Sequence, residues 1–295
     1  MSIGSHLLTK ENLALVGRSS WKVGRPLVID QGLRYYDAHA DEVERIRKNL
    51  DFMGLPSSGG DLDETLRHIL AHYYEKLFGL VKRYEVVWIA RNRVETGDAL
   101  APFLEARSAG RAVFIAESHF AGTYVLPAVL MANGVEATMV GRFPEPVGSL
   151  FKATSAALVE RYGVTPIHLL DVDDPNADIP VRMMTALMSG GVVSNVFDEP
   201  NQLSRPVTLL GRTLRGGSGM EKVLRRFSDE RVTVVTPFLL RTSDETFRLE
   251  VDRHSLAGGD LIESFYRSLE KQIRARFHQW YFIHELHDAF LEPEA

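Results

Sequence analysis

In the run Ala112-Val-Phe-Ile-Ala-Glu117-Ser-His119-Phe-Ala-Gly122-Thr-Tyr124, a short apolar segment gives way to Glu117, Ser118 and His119. Histidine has an ordinary pKa of about 6.5, so near neutrality it can take up and return a proton as a general base. Glu117 lies two residues earlier. On an extended strand the two side chains share a face, a sensible arrangement for acid–base chemistry. A second acidic group, Asp198-Glu199-Pro200, follows another apolar segment. The same residue types also describe a capped strand end and a solvated turn, and on these residues alone both descriptions stand.

Three other groups of residues have chemical potential. His68 and His72 sit at i and i+4, a metal-ligand spacing, but no HExxH arrangement accompanies them and no metal site is expected. Arg142, Arg182, Arg205, Arg212 and Arg215 are candidates for contacting the phosphate of a carrier arm, coenzyme A or a tRNA end. Gly216-Gly217-Ser218-Gly219, ahead of a helix, offers backbone N–H groups to an anion. That turn lacks both the Lys-Ser/Thr of a Walker loop and the GxGxxG of a dinucleotide site, so no nucleotide cofactor is expected.

These residues need a scaffold, and the 295-residue chain has material for one large domain. A net charge of −5 gives no general attraction to DNA or anionic lipid. The absence of cysteine excludes disulfides and thiolate chemistry, which suits the cytoplasm. No run approaches the roughly 18 apolar residues of a membrane span, and the amino terminus lacks the shape of a signal peptide.

The first thirty residues are mixed. Helices are expected over Asp37–Met53 and, opened by an Asp61/Glu64 capping box, through about Leu80. Strands are then expected at Val86–Ala90, Arg111–Ala116, Ala137–Val140, Thr165–Leu170 and Gly191–Phe197. Helices at Asp98–Ala106, Ala121–Met131, Gly148–Tyr162 and Ile179–Met188 alternate with them. A helix to about Phe227 follows, then strands Val232–Leu240 and Thr246–Val251 about an antiparallel turn, and a helical segment Leu261–Phe290. This alternation implies an α/β fold with a mainly parallel central sheet flanked by helices. We read one domain over residues 1–295, a helical cap at 1–83 and an α/β core with C-terminal helices at 84–295. His119 then falls at the carboxyl edge of the sheet, where open α/β sheets hold ligands.

Several of these stretches, in order from about residue 35 to 285, resemble the lysophospholipid acyltransferase superfamily, and within it the bacterial lipid A biosynthesis (lauroyl/myristoyl) acyltransferases. His119-Phe-Ala-Gly122-Thr-Tyr124 corresponds to that family's His-x4-Asp/Glu motif, and Met139-Val-Gly-Arg142 to its downstream arginine. Val196-Phe-Asp198-Glu-Pro and Pro206-Val-Thr-Leu-Leu-Gly211 match a later strand end and turn. Arg215-Gly-Gly-Ser-Gly219 matches a small-residue turn, Val234–Arg241 a strand, and Gln279-Trp280-Tyr281-Phe-Ile-His284 a Trp-and-His helix. The resemblance implies that histidine takes a proton from an acceptor hydroxyl, which then attacks an acyl thioester. It also raises Arg142 and Arg215 as substrate-binding candidates beside Gly217, Ser218 and Glu199.

The chain departs from that pattern twice. Tyr124 stands where the family carries its carboxylate, and a neutral phenol can orient an imidazole but cannot supply a negative charge. Glu117 and Asp198 are the available substitutes, and an amine or hydroxylamine acceptor would need less help. The amino-terminal membrane anchor usual in the family is also missing, which favours a cytoplasmic enzyme, with peripheral membrane attachment open. The expected activity is acyl transfer from an acyl carrier protein or coenzyme A thioester to a hydroxyl or amino acceptor, small molecule or lipid, with His119 as general base. Two alternatives remain: transfer from an aminoacyl-tRNA to an amine or hydroxylamine, and a catalytically inactive relative that binds an acyl chain or carrier.

Overall fold

A computed structural model describes residues 2–290 apart from Pro144, Pro146 and Pro175. Six helices come first: α1 (Ile3–Leu7), α2 (Lys10–Arg18), α3 (Trp21–Ala38), α4 (Ala40–Phe52), α5 (Gly59–Val81) and α6 (Arg83–Asn92). The mixed opening residues become helical behind two side-chain caps, Ser2 accepting from the Ser5 N–H and Thr9 from the Asn12 N–H. The helix expected over Asp37–Met53 is split at His39. α5 starts two residues before Asp61, so that carboxylate complements the helix dipole from the first turn and does not cap it.

Val86–Ala90 is not a strand but the middle of α6. Its β-branched residues suggest extension, yet Val86, Val87, Ile89 and Ala90 are buried while Trp88 is 52% exposed. That is spacing by three and four, and the helical period prevails over propensity.

The strands are β1 (Val94–Glu95), β2 (Ala112–Glu117), β3 (Ala137–Gly141), β4 (Ile167–Asp171), β5 (Val192–Val196), β6 (Arg205–Leu209), β7 (Arg212–Gly216), β8 (Val232–Arg241) and β9 (Phe247–His254). The later helices are α7 (Ala101–Ser108), α8 (Leu126–Ala132), α9 (Val147–Tyr162), α10 (Ile179–Met188), α11 (Glu221–Leu224) and α12 (Leu261–Arg276). The protein is α/β, with a seven-stranded sheet in the order β1-β9-β8-β2-β5-β3-β4, flanked by helices and preceded by a helical region. β8, β2, β5, β3 and β4 run parallel, and β9 turns back against β8. All six residues of β2 are buried between two parallel neighbours, which accounts for its unbroken apolar text.

Two further segments depart from expectation, and a third adds a pair of strands. α8 begins at Leu126, not Ala121, because Ala121 has a φ of 53° and cannot be helical, while Pro127 suits a first turn. Residues 205–216 form the hairpin β6–β7, turning through Leu210 and Gly211 with φ of 52° and 74°. Beyond α12 the chain breaks into short 3-10 turns at Phe277–Gln279, Tyr281–His284 and Leu286–Ala289. One hydrophobic core joins the N-terminal helices to the sheet. Among the described residues no helix is long and apolar enough to cross a membrane.

Candidate functional site

The register of β2 on β5 sets the site. Glu117 lies level with Val196, and the Phe197 N–H donates to the Glu117 carbonyl at 2.9 Å. Carrying that register two residues further brings His119 level with Asp198. The connections leaving these adjacent strands run to opposite sides, β2 towards β3 and β5 towards β8, which opens a crevice at their carboxyl ends.

His119 Nδ1 lies 2.9 Å from Asp198 Oδ1, and the His119 backbone N–H donates to Oδ2 at 2.8 Å. A carboxylate can only accept, so Nδ1 carries the proton and Nε2 keeps a free lone pair. The His119 side chain is 18% exposed and that of Asp198 1%. Burial alone would lower the pKa of His119. The charge and hydrogen bond of Asp198 outweigh it, Glu199 and Glu285 add to them, and the pKa rises above 6.5.

Neighbouring elements fasten both strand ends. The Tyr281 N–H donates to the His119 carbonyl at 2.9 Å, the Ala121 N–H to Gln279 at 2.7 Å, and the Gly122 N–H to Leu239 at 2.8 Å. Arg241 is bidentate on Glu75, at 2.6 and 2.8 Å, and also donates to the Ala121 carbonyl at 2.8 Å. Only glycine fits at 122, since a Cβ there would lie 2.7 Å from the Phe247 ring. On the β5 side, the Tyr266 hydroxyl and the Gly217 N–H both donate to the Phe197 carbonyl. A Cβ at 217 would meet that oxygen at 2.9 Å.

His119 opens into a cavity of about 540 Å³. The wall made by α5, α6, α8 and α9 is largely apolar, with Leu80, Val86, Ala128, Met131, Phe151 and Leu158. Around His119 the lining is polar, with Glu117, Lys76, Tyr124, Glu199 and Glu285. Glu285 is held down at about 2: burial works against ionisation, but its bond to His284 and the charges of His284, His119 and Lys76 prevail.

Of the residues singled out from sequence, His119, Glu117, Tyr124, Glu199 and Arg142 line this cavity, with Asp198 directly behind His119. Tyr124 does not take the carboxylate's place beside the imidazole. Its ring lies edge-on to His72 at 4.7 Å, with the Lys76 ammonium 5.3 Å from its centre. Arg142 is on the rim, 66% exposed and 3.4 Å from Asp173.

Arg215, Gly217 and Ser218 are not among the lining residues. Arg215 is exposed and reaches the Asn201 carbonyl at 3.4 Å, Ser218 bonds the Leu203 carbonyl, and Gly217 serves the close approach just described. Arg205 is tied to Asp260 and Glu221, Arg212 lies over the Phe52 ring, and Arg182 is exposed on α10. Among the described residues, no group of three His, Cys, Asp or Glu is arranged to hold a metal ion. Lys76 and Glu285 emerge as site residues only in three dimensions, and Tyr281, inside the matched Gln279–His284 stretch, gains its place at the site there too. Neither the helical text around Lys76 nor the C-terminal segment carries a spacing signal for them.

No family model matches the chain, and no curated protein matches it significantly.

Proposed function

We propose that the protein is an acyltransferase related to the lysophospholipid acyltransferases. It would move an acyl group from an acyl carrier protein or coenzyme A thioester to a hydroxyl or amino acceptor, in the cytoplasm and without a metal or nucleotide cofactor. The observation that carries this reading is the His119–Asp198 pair facing a cavity with one apolar wall. His119 Nε2 takes the acceptor proton and Asp198 stabilises the imidazolium that results. The acceptor forms a bond to the thioester carbonyl carbon, and the C–S bond breaks as the thiol leaves with the proton from His119. The apolar wall suits an acyl chain.

The inactive-relative reading rested on the missing carboxylate at Tyr124. Asp198 supplies a carboxylate from another strand, which supports an active site.

In purified protein, His119→Ala should abolish transfer across a panel of acyl thioesters and hydroxyl or amino acceptors. Its stability in a thermal melt should fall by less than the roughly 3–5 kcal/mol of a buried charge left wholly unpaired, because the residue-119 N–H still donates to Asp198. Retained transfer would overturn the mechanism, and wild-type binding of acyl donors without turnover would favour the inactive relative.

A further inference from the structure

The step above leaves Glu117 unused. Glu117, the last residue of β2, is 4% exposed and lines the cavity together with His119 two residues on, with Ser194 as its hydroxyl neighbour. Burial pushes its pKa up, and the Ser194 hydrogen bond and His119 charge offset this only in part. Among the described residues no lysine or arginine forms an ion pair with it. Glu199 and Glu285 line the same cavity, and both act electrostatically on His119. The cations of the lining are Lys76, which lies over the Tyr124 ring, and Arg142, which is engaged with Asp173 on the rim. A buried carboxyl that His119 compensates only in part, and only when protonated, is costly, and a cavity beside it lets a substrate supply a cation. A phosphorylated acceptor would meet like charge here, and an alcohol would leave the carboxylate uncompensated.

We propose that Glu117 binds the amino group of the acceptor, making the acceptor a primary amine. This rests on the acyl-transfer reading and specifies its nucleophile. The ammonium docks on Glu117 beside His119 and gives one proton to Nε2. The freed lone pair forms the N–C bond at the thioester carbonyl. As the adduct collapses the C–S bond breaks, and the thiolate takes the second nitrogen proton. The products are an amide, a free thiol and a proton on His119 that returns to solvent.

Calorimetric titration of the full chain with n-butylamine, n-butanol and alanine methyl ester tests the assignment without requiring turnover. Butylamine should bind at least about tenfold more tightly than butanol, as expected for a charge-assisted hydrogen bond. Glu117→Gln should remove that preference and leave butanol unchanged, whereas Glu117→Asp, which keeps the charge, should retain part of it. Equal binding of amine and alcohol would overturn the proposal, as would an undiminished preference in Glu117→Gln. A preference confined to alanine methyl ester would also overturn it, since that ammonium sits on the acyl side. If no thioester supports transfer to any acceptor, the transferase reading fails, while the amine–alcohol contrast still decides what Glu117 binds.

Discussion

His72 and His119 pack against the same ring, Tyr281, at centroid distances of 3.6 and 6.0 Å, yet their surroundings drive them in opposite directions. His72 is fully buried. Its Nδ1 bonds the Ala121 carbonyl at 3.3 Å, its Nε2 has no partner, and burial, with Arg241 and His119 adding, holds its pKa well below 6.5. His119 has a carboxylate behind it and a cavity in front, and its pKa is raised. The contrast separates a ring that packs from a ring that can exchange protons. Exposure alone does not do this; the paired carboxylate must hold one nitrogen while the other faces open space.

The contrast breaks most completely at Asp198. Asp198→Asn should lower kcat/KM by about 10³–10⁴-fold, in line with loss of the orienting carboxylate in triad enzymes. In the proposed mechanism His119 accepts a proton only when neutral, so wild-type activity should rise with pH along a limb centred above 6.5. Removing Asp198 removes the main influence raising that pKa, so the limb should move to lower pH. An unmoved limb in a pH–rate profile would show that another group controls the imidazole.

Next in size is the anchor of the turn. Arg241→Met leaves Glu75 buried and unpaired, and should cost about 3–5 kcal/mol in a denaturant titration. Replacing both, Arg241→Met with Glu75→Leu, should recover most of that loss. If the double variant is as unstable as the single one, the bond from Arg241 to the Ala121 carbonyl matters more than the charge pair.

The smallest effect is expected at His72. His72→Phe keeps a ring against Tyr281 and removes an unpartnered nitrogen, so stability near neutral pH should change by under about 1 kcal/mol, with transfer retained. The pH dependence has a definite sign. A histidine whose folded pKa is depressed binds protons only when unfolded, so stability falls as pH drops below about 6.5. His68, held at about 3, and His254, at about 4, act in the same direction. His72→Phe should therefore flatten the acid side of the stability profile, measured by thermal melts across pH. A steeper profile would contradict a neutral buried His72.

The central strand and the alternation around it were legible because buried parallel strands are written as unbroken apolar runs between helical periods. α6 misled through Val86, Val87 and Ile89, whose propensity and period disagree. Asp198 was visible as a candidate but indistinguishable from Glu117 and Tyr124, since a sequence does not say which strand lies beside β2. Tyr124 stands five residues after His119, but the positive φ of Ala121 redirects the chain and turns its ring towards α5. Glu75 and Arg241, 166 residues apart, left no trace in either local pattern.

The turn that carries His119 is held at His119 and Ala121 by Tyr281 and Gln279. During synthesis these clasps emerge long after the strand they secure, and Asp198 and Arg241 also follow it. A chain ending just after β2 therefore lacks the carboxylate that pairs with His119, the backbone clasps of its turn and the Arg241 that neutralises Glu75. The arrangement around His119 is thus a property of the assembled chain, completed by its last turns.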